Sequence, residues 1–359
     1  MGYNAATRTP AEPIYVNLFN YILRRLLLMV VVLIGVSIIV FTIMMLMPPG
    51  MRVAVYVQTE KITPAQMEQL IERYGLDDPA PIQYFRWMGN LLRGDFGYSV
   101  TASGPVIQGF RSYFPITFEL ALIGAPLTIM MGIFLGTIGA VHKDKPADHL
   151  TRVFAIVGYS LPTFWLGLLL LMLVYGYLGL FPPGYLSDAG KNILFSEEFT
   201  RYTGVILFDG ILNREWGLVL DDLYHLVLPA VNFVILASAL ILRLTRSSML
   251  ESLGQDYIRT ALAKGADRRT INKVHARRNA LIPVVTVAGL LFAQMIAGLV
   301  VTEAIFNRPG LGQWIVRAAL QLDVPAIMFN VLFLGVVFVT INLIVDIIYA
   351  YIDPRIRLY

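Results

Sequence analysis

Six uncharged apolar blocks, separated by polar segments of very unequal length, organise this chain: 26–47, 120–141, 153–180, 226–242, 284–302 and 326–345. An α-helix rises about 1.5 Å per residue, so roughly 20 residues cross the ~30 Å hydrocarbon core of a bilayer. Five blocks reach that length. The fourth has 17 residues, but its apolar pattern resumes after Arg243. Apolar residues gathered in blocks, rather than alternating with polar ones, predict helical spans and not a β-barrel. The expected fold is an all-α membrane protein with six transmembrane helices.

The polar segments carry shorter elements. Thr63 before Pro64, with Gln66 three residues on, is a capping signature. Met67, Leu70, Ile71 and Tyr74 then repeat at helical spacing until Gly75. A second short helix is expected over 81–92, with Tyr84, Trp87, Met88 and Leu91 on one face and Trp87 as an anchor. The sequence FPPGY (181–185) stops the third span, and a short helix near 215–224 leads into the fourth. The fifth span is expected to end near Phe306. Pro309, Gly310, Leu311 and Gly312 read as a tight turn before a short surface or re-entrant helix at 313–322. Residues 1–20 read as a flexible or surface-lying arm, and 21–359 as the membrane domain. The first span reads as a retained helix, because it is too long for a signal peptide and follows more than 20 mostly polar positions.

Composition agrees: 57% of residues are hydrophobic and 14% charged, with mean hydropathy +0.67. Soluble domains carry about 25% charge, so a soluble globule, a disordered chain and a nucleic-acid binder are all disfavoured. The distribution of charge orients the spans. Segments 1–25, 142–152, 243–282 and 353–359 fall on one side and hold 17 Lys or Arg against 7 Asp or Glu. Segments 51–111, 181–222 and 307–323 fall on the other and hold 11 against 14. The positive-inside rule places the first set, with both termini, in the cytoplasm. The stretches 50–115 and 181–225 are then extracytoplasmic.

No cysteine is present, which excludes disulfides, thiol nucleophiles and cysteine metal sites. The four histidines, at 142, 149, 225 and 275, are dispersed. No phosphate loop, HExxH or catalytic triad spacing occurs, so no enzymatic activity and no bound cofactor are expected. Ionisable groups are costly in hydrocarbon and must face protein or water. Glu119 and Glu303, at the outer ends of spans, are therefore candidates for contact with a ligand ammonium, or for helix capping and structural pairing. Asp346 is expected to pair within the bundle or with a terminal Arg. Gln294 and Asn342 either line a cavity or make interhelical hydrogen bonds.

The 243–282 segment is more than a connector. Asp256 can cap a helix along which Tyr257, Thr260, Ala261 and Lys264 lie. Gly265 ends it, and Asp267 caps a second helix beginning near Arg268 and bearing Ile271, Val274 and His275. Pro283 follows where the chain re-enters the membrane. A helix, glycine turn and helix with a basic face serve either as a lever inserted into a partner or as an interfacial amphipathic element.

At this point a resemblance emerges. Arg259-Thr260-Ala261, Gly265 and Leu281-Ile282-Pro283 resemble the coupling ("EAA") loop of ABC-importer permeases, with Arg259 in place of the usual Glu and Ile282 in place of the final Leu. DYIRTALAKG (256–265) and HARRNALIPVV (275–285) are similar to the dipeptide/oligopeptide branch, where Arg-Thr-Ala is common. RRLLL (24–28), GLDDPAPIQYFRWMGNLLRGDFGYS (75–99), SLPTFWLGLLL (160–170), DLYHLVLPA (222–230), EAIFNRPGLGQ (303–313) and DPRIR (353–357) agree, with Pro162 as an expected kink. The resemblance covers roughly 20–359. It implies a type I importer permease in a bacterial or archaeal plasma membrane, forming half of a peptide translocation pore. Its implied partners are a paralogous permease, two ATP-binding subunits that use ATP and Mg, and an extracytoplasmic solute-binding protein. It implies ATPase coupling through the 250–282 loop, at Asp256, Tyr257, Arg259, Thr260, Ala261, Lys264, Gly265, Arg268, Arg269, His275, Asn279 and Pro283. It also implies a gate near Glu303, Pro309, Gly310 and Gly312. The same architecture also serves nickel chelates, glycosides and antimicrobial peptides. A channel, a secondary transporter or a structural membrane protein is the reading from another class. The coupling loop and the lack of a clear inverted repeat weigh against the transporter readings.

Overall fold

The computed structural model describes residues 18–56 and 63–352. Most of the expected N-terminal arm and the DPRIR stretch lie outside the described residues. The first helix, α1 (Leu18–Met45), already includes 18–20, so the arm boundary shifts earlier than 20. It is followed by α2 (Pro64–Tyr74), α3 (Ala80–Leu92), a two-residue ladder of β1 (Tyr98–Ser99) and β2 (Gly104–Pro105), and α4 (Val106–Val141). Next come α5 (Pro146–Ser160), α6 (Thr163–Tyr177), α7 (Asp188–Leu194), α8 (Ile206–Leu212) and α9 (Trp216–Leu253). The chain closes with α10 (Asp256–Ala263), α11 (Arg268–Ala297), α12 (Val300–Ile305), α13 (Leu311–Leu320) and α14 (Val324–Ile352). Among the described residues, five helices are long and apolar enough to span a membrane, and the bent pair α5–α6 makes a sixth span if counted as one.

The capping signature at Thr63 forms as a reciprocal pair. The Thr63 N–H donates to Gln66 Oε1 at 3.0 Å, and the Gln66 N–H to Thr63 Oγ1 at 3.4 Å. Gly75 closes α2 with φ +60°. The predicted face of α3 packs as expected. Trp87 is buried with Val40, Phe41 and Met44 of α1, flanked by Tyr84, Met88 and Leu91. The Tyr84 and Ser37 hydroxyls lie 2.8 Å apart.

Four expectations about element boundaries change. The separate helix near 215–224 does not exist: α9 is one helix of 38 residues. No glycine or proline interrupts the chain between Leu218 and Leu228, and Pro229 is absorbed inside the helix, buried among neighbours. The second span begins well before its apolar block. The first four turns of α4 bury Val106, Gly109 and Thr117 against the rest of the bundle. The kink expected at Pro162 is a full break. Proline lacks an N–H, Leu161 is extended at ψ 130°, and α5 and α6 meet at 103°. Finally, the fifth span does not run unbroken to Phe306. It stops at Gly298, whose φ of +115° only glycine adopts readily, and restarts as α12. The backbone of Gly312 lies so close that a Cβ on Gly298 would sit 2.7 Å from its Cα.

The core is the seam between α4 and α9. In lipid, helices associate through close packing rather than through exclusion of water, so small residues mark the interface. A Cβ at Gly132 would lie 2.5 Å from Ile241 Cβ, and one at Gly136 would lie 2.7 Å from the Leu242 carbonyl oxygen. Ala121, Ala125, Ala293, Ile341 and Val345 join α4, α11 and α14 in a neighbouring cluster. By contrast, α1 packs chiefly on α14 and α3, and most of its surface stays exposed to the surrounding phase.

Gly136→Val inserts atoms where backbone already stands. Overpacking of this kind costs about 1–3 kcal/mol. A lowered thermal midpoint of the purified protein in detergent is expected; a midpoint equal to the parent's would show that the seam is not close-packed.

Candidate functional site

The two ends of the bundle are built differently. One end carries 142–152 and 243–282. There Arg246 clamps Asp148 through Nε to Oδ1 at 2.6 Å and Nη2 to Oδ2 at 2.9 Å, with Asp148 fully buried. Arg25 pairs with Asp346 at 2.9 Å, matching the expected partnership of Asp346 with an Arg near a chain end.

On this end α10 projects from the foot of α9. Its cap residue is Gln255 rather than Asp256, which instead occupies the first turn and pairs with Arg259 at 3.3 Å. The Thr260 hydroxyl donates to the Asp256 carbonyl at 3.0 Å. Ile258 points inward, onto Met249, Ile271, Ala276, Ala280 and Ala140 of three other helices. Ser252 contacts the Tyr257 hydroxyl at 2.5 Å and donates to the Ala276 carbonyl at 3.1 Å, stapling α9, α10 and α11 together. The unit is therefore fixed at its base.

Its tip is open. Gly265 has φ +82°, and its N–H donates to the Leu262 carbonyl at 2.9 Å, while Ala266 N–H reaches the Ala261 carbonyl at 3.1 Å. A Cβ placed on Gly265 meets nothing within 4 Å. Asp256, Arg259, Thr260, Lys264, Arg268 and Arg269 are exposed, Tyr257 is 39% exposed, and Ala261 and His275 are intermediate. Leu262 is 50% exposed beside the glycine. Asp267 accepts from Thr270 N–H at 3.3 Å, as its cap role requires, and hydrogen bonding to Thr270 holds its carboxyl below the usual range. Asn279 and Pro283 are exposed on α11 and line a groove of about 340 Å³ with Glu251 and Gln255. Higher on α11, Gln294 is exposed, as is Asn342 on the adjoining α14.

The opposite end holds a buried charge network. Glu119 is 1% exposed. Its Oε2 accepts from Arg308 Nη2 at 3.2 Å and its Oε1 from the Leu207 N–H at 2.8 Å. Arg308 also reaches Asp222 at 3.5 Å, and both residues have no exposed surface. Glu303 is 1% exposed. It accepts from the Thr117 hydroxyl at 2.5 Å and from Gln313 N–H at 3.0 Å. The Thr117 hydroxyl oxygen in turn accepts from Leu311 N–H at 2.7 Å. Gly310 and Gly312 pack against these groups without room for a side chain, and Leu311 and Gly312 already belong to α13. Pro309 borders an outer cleft.

The structure thus unites Glu119 and Glu303 in one neighbourhood of interior bonds, and leaves Gln294 and Asn342 on outward faces. Sequence reasoning missed Arg308, Asp222, Thr117 and buried His225. Arg308 and Asp222 lie in polar segments that read as loops, and only the acidic residues beside apolar blocks signal burial. Ile258 and Leu262 were missed too, although their spacing of four marks them as one helical stripe. Among the described residues, no group of three or more His, Asp or Glu could hold a metal.

Comparison with known proteins adds a second line of observation. Residues 129–358 match the family model described as binding-protein-dependent transport system inner membrane component, and 18–121 match its N-terminal companion. The chain is 38% identical to the dipeptide transport system permease protein of Escherichia coli (strain K12) over 340 residues, 95% of this chain and 99% of that one. It is 40% identical to the dipeptide transport system permease protein of Haemophilus influenzae, covering 95% of this chain and all of the other. It is 38% identical to an oligopeptide transport system permease protein of Bacillus subtilis, covering 94% and 99%.

Truncating Arg308 would leave two carboxylates buried without a cation, and breaking a buried pair costs about 3–5 kcal/mol. Arg308→Met is expected to lower the thermal midpoint sharply, and adding Glu119→Gln with Asp222→Asn to recover much of the loss. Equal midpoints for single and triple variants would show that the charges are not coupled.

Proposed function

Since this chain belongs to the family of binding-protein-dependent transport system inner membrane components, we propose that it lines half of the pore of an ATP-driven importer of di- or oligopeptides. It is a non-catalytic permease subunit and a multi-pass protein of the plasma or inner membrane. The other half of the pore is a paralogous permease. Two ATP-binding subunits, using ATP and Mg, engage the 250–282 loop, and a solute-binding protein delivers the peptide to the opposite end. The basic end faces the cytoplasm, in keeping with the positive-inside rule.

The observation that carries this reading is the α10 unit, fixed at its base by Ile258 and Ser252 and bare at Gly265. Among the described residues, nothing approaches a Cβ placed there, and the positive φ is what favours glycine from within the chain. A partner that fits closely over Leu262, Lys264 and Gly265 adds a steric reason to the conformational one. Exposed Asp256, Tyr257, Arg259, Thr260, Arg268 and Arg269 surround that contact, with Ala261 and His275 behind it. Asn279 and Pro283 mark where the unit joins the pore-facing side of α11, on which Gln294 lies; Asn342 lines the same side from α14. Glu119 and Glu303 act at the outer gate through Arg308, Thr117, Pro309, Gly310 and Gly312, holding the re-entrant turn in place rather than binding the peptide ammonium. Coupling needs only that the ATP-binding subunits bind the loop differently in two states, not that they bind it tightly.

Gly265→Trp is expected to reduce ATP-driven peptide uptake in proteoliposomes by more than about tenfold while ATP hydrolysis continues, and Gly265→Asn, which tolerates positive φ, to lose less. Normal uptake by the tryptophan variant, in a complex of unchanged composition, would sink the assignment. Co-purification with a second permease, two ATP-binding subunits and a solute-binding protein tests the assembly. Isolation of an ATPase-free complex active in ion flux would favour a channel.

A further inference from the structure

Between the first turns of α4 and the 185–209 stretch lies a cleft of about 740 Å³, within the range of about 300–1,000 Å³ usual for small-molecule sites. Its walls are aromatic, with Phe110, Tyr185, Phe195 and Tyr202 among them. Three charged residues line it: Arg111, Arg201 and Asp209.

Their states differ. Asp209 is 1% exposed and fully engaged, accepting from Thr203 N–H and hydroxyl at 2.8 Å and from Gly204 N–H at 2.9 Å. It shapes the loop and offers no free oxygen to a ligand. Arg111 and Arg201 are both exposed, and among the described residues neither is ion-paired. The Arg201 guanidinium lies 4.9 Å from the centre of the Phe195 ring, a stacking that orients its fork without neutralising it. Pro309, which also lines the cleft, follows Arg308, whose own charge faces Glu119 and Asp222. The charge left to a ligand is therefore positive, although the surrounding 181–222 segment is acidic overall.

We propose that this cleft is a receiving subsite that holds the C-terminal carboxylate of a peptide between Arg111 and Arg201, with its side chains against the aromatic walls. Arginine is suited to the task because its planar fork gives carboxylates paired, charge-assisted hydrogen bonds. Through Pro309, the bound peptide borders the turn that carries Arg308 and Gly310. The inference rests on the peptide-import reading.

The test uses the purified importer complex in nanodiscs, without solute-binding protein, and the photoreactive tripeptide Ala-benzoylphenylalanine-Ala with a free or an amidated C-terminus. After irradiation, peptide mapping locates the adducts. The free acid is expected to label 110–116 or 195–204, and either amidation or the double variant Arg111→Gln/Arg201→Gln to reduce that labelling about tenfold, the loss of one strong charged contact. Both side chains are exposed, and an unchanged thermal midpoint checks that the fold survives. Equal labelling by acid and amide, or adducts only elsewhere, overturns the proposal. Loss of solute-binding-protein capture by the double variant, with peptide labelling unchanged, would overturn it in favour of a docking role. Uptake into vesicles with all partners separates the two levels. Peptide uptake with no label in the cleft fails the subsite alone, whereas no uptake of any peptide fails the import reading and this inference with it.

Discussion

Hydrocarbon supplies no hydrogen bonds, and the rest of this structure follows from that. Every backbone polar group within the bilayer must be satisfied by the protein itself, so the chain crosses as helices and interrupts them only where other groups stand ready. The break at Gly298 shows how this is managed. The Gly298 N–H turns back to the Met295 carbonyl, and Glu303 and Thr117 take up N–H groups at the start of α13. Phe306, Arg308 and Gly310 of the irregular turn are therefore buried in protein. The same logic accounts for the α4–α9 seam, where glycines bring two long helices close enough for dispersion contacts to replace the missing hydrophobic drive.

Charge obeys the constraint in a harsher form. Arg308, Glu119 and Asp222 come from the turn before α13, from α4 and from α9, and none retains appreciable contact with solvent. Each is tolerable only while the others are in place. Such a network contributes little net stability compared with apolar packing, yet it strongly penalises any arrangement that separates its members. It therefore favours a small number of discrete positions for the turn before α13 over a continuous range. The outer gate proposed for this region, which must be either shut or open, benefits from that property. The basic end lacks any comparable restraint at its tip, where Asp256 and Arg259 pair in water and Gly265 stands clear.

These features were legible in the sequence to different degrees. The spans were readable because an uncharged apolar block of about 20 residues matches the bilayer thickness, and water-soluble folds rarely need one so long. The α10–α11 turn was readable because Gly265 and Asp267 each carry a local conformational signal. The break at Gly298 was hidden, since its flanking residues are apolar and its cause lies in Gly312, outside any local window. The partnership of Glu119 with Arg308 was hidden for the same reason: it joins residues 189 positions apart, and Arg308 belongs to a segment that reads as loop. The early start of α4 went unseen because Arg111 and Ser112 make its first turns look polar, while the face they leave free packs on Trp314. Local chemistry reveals caps and turns, and burial created by remote contacts does not show in it.

The two ends are joined by α9. This helix carries Asp222 near its start and Met249 and Ser252 near its foot, and at 38 residues it is about 55 Å long. At one end it is held by Arg308, and at the other by Ile258 and Ala276 through the cluster beneath α10. A helix packed along its length against α4 does not compress, so displacement of α10 must either move α9 as a body or be absorbed beside it. The α11 limb of the connection offers the softer element, because its backbone opens into a wider π-type turn at Ile271–Ala276, directly behind the lever. On the proposed coupling, motion imposed at Gly265 has two routes: a stiff one, through α9 to the buried charges, and a compliant one, through α11 to the exposed face bearing Gln294. The proposed import cycle changes an outer gate and a cavity wall in response to one event, and two helices of unequal stiffness rooted in the proposed lever allow those responses to differ in size.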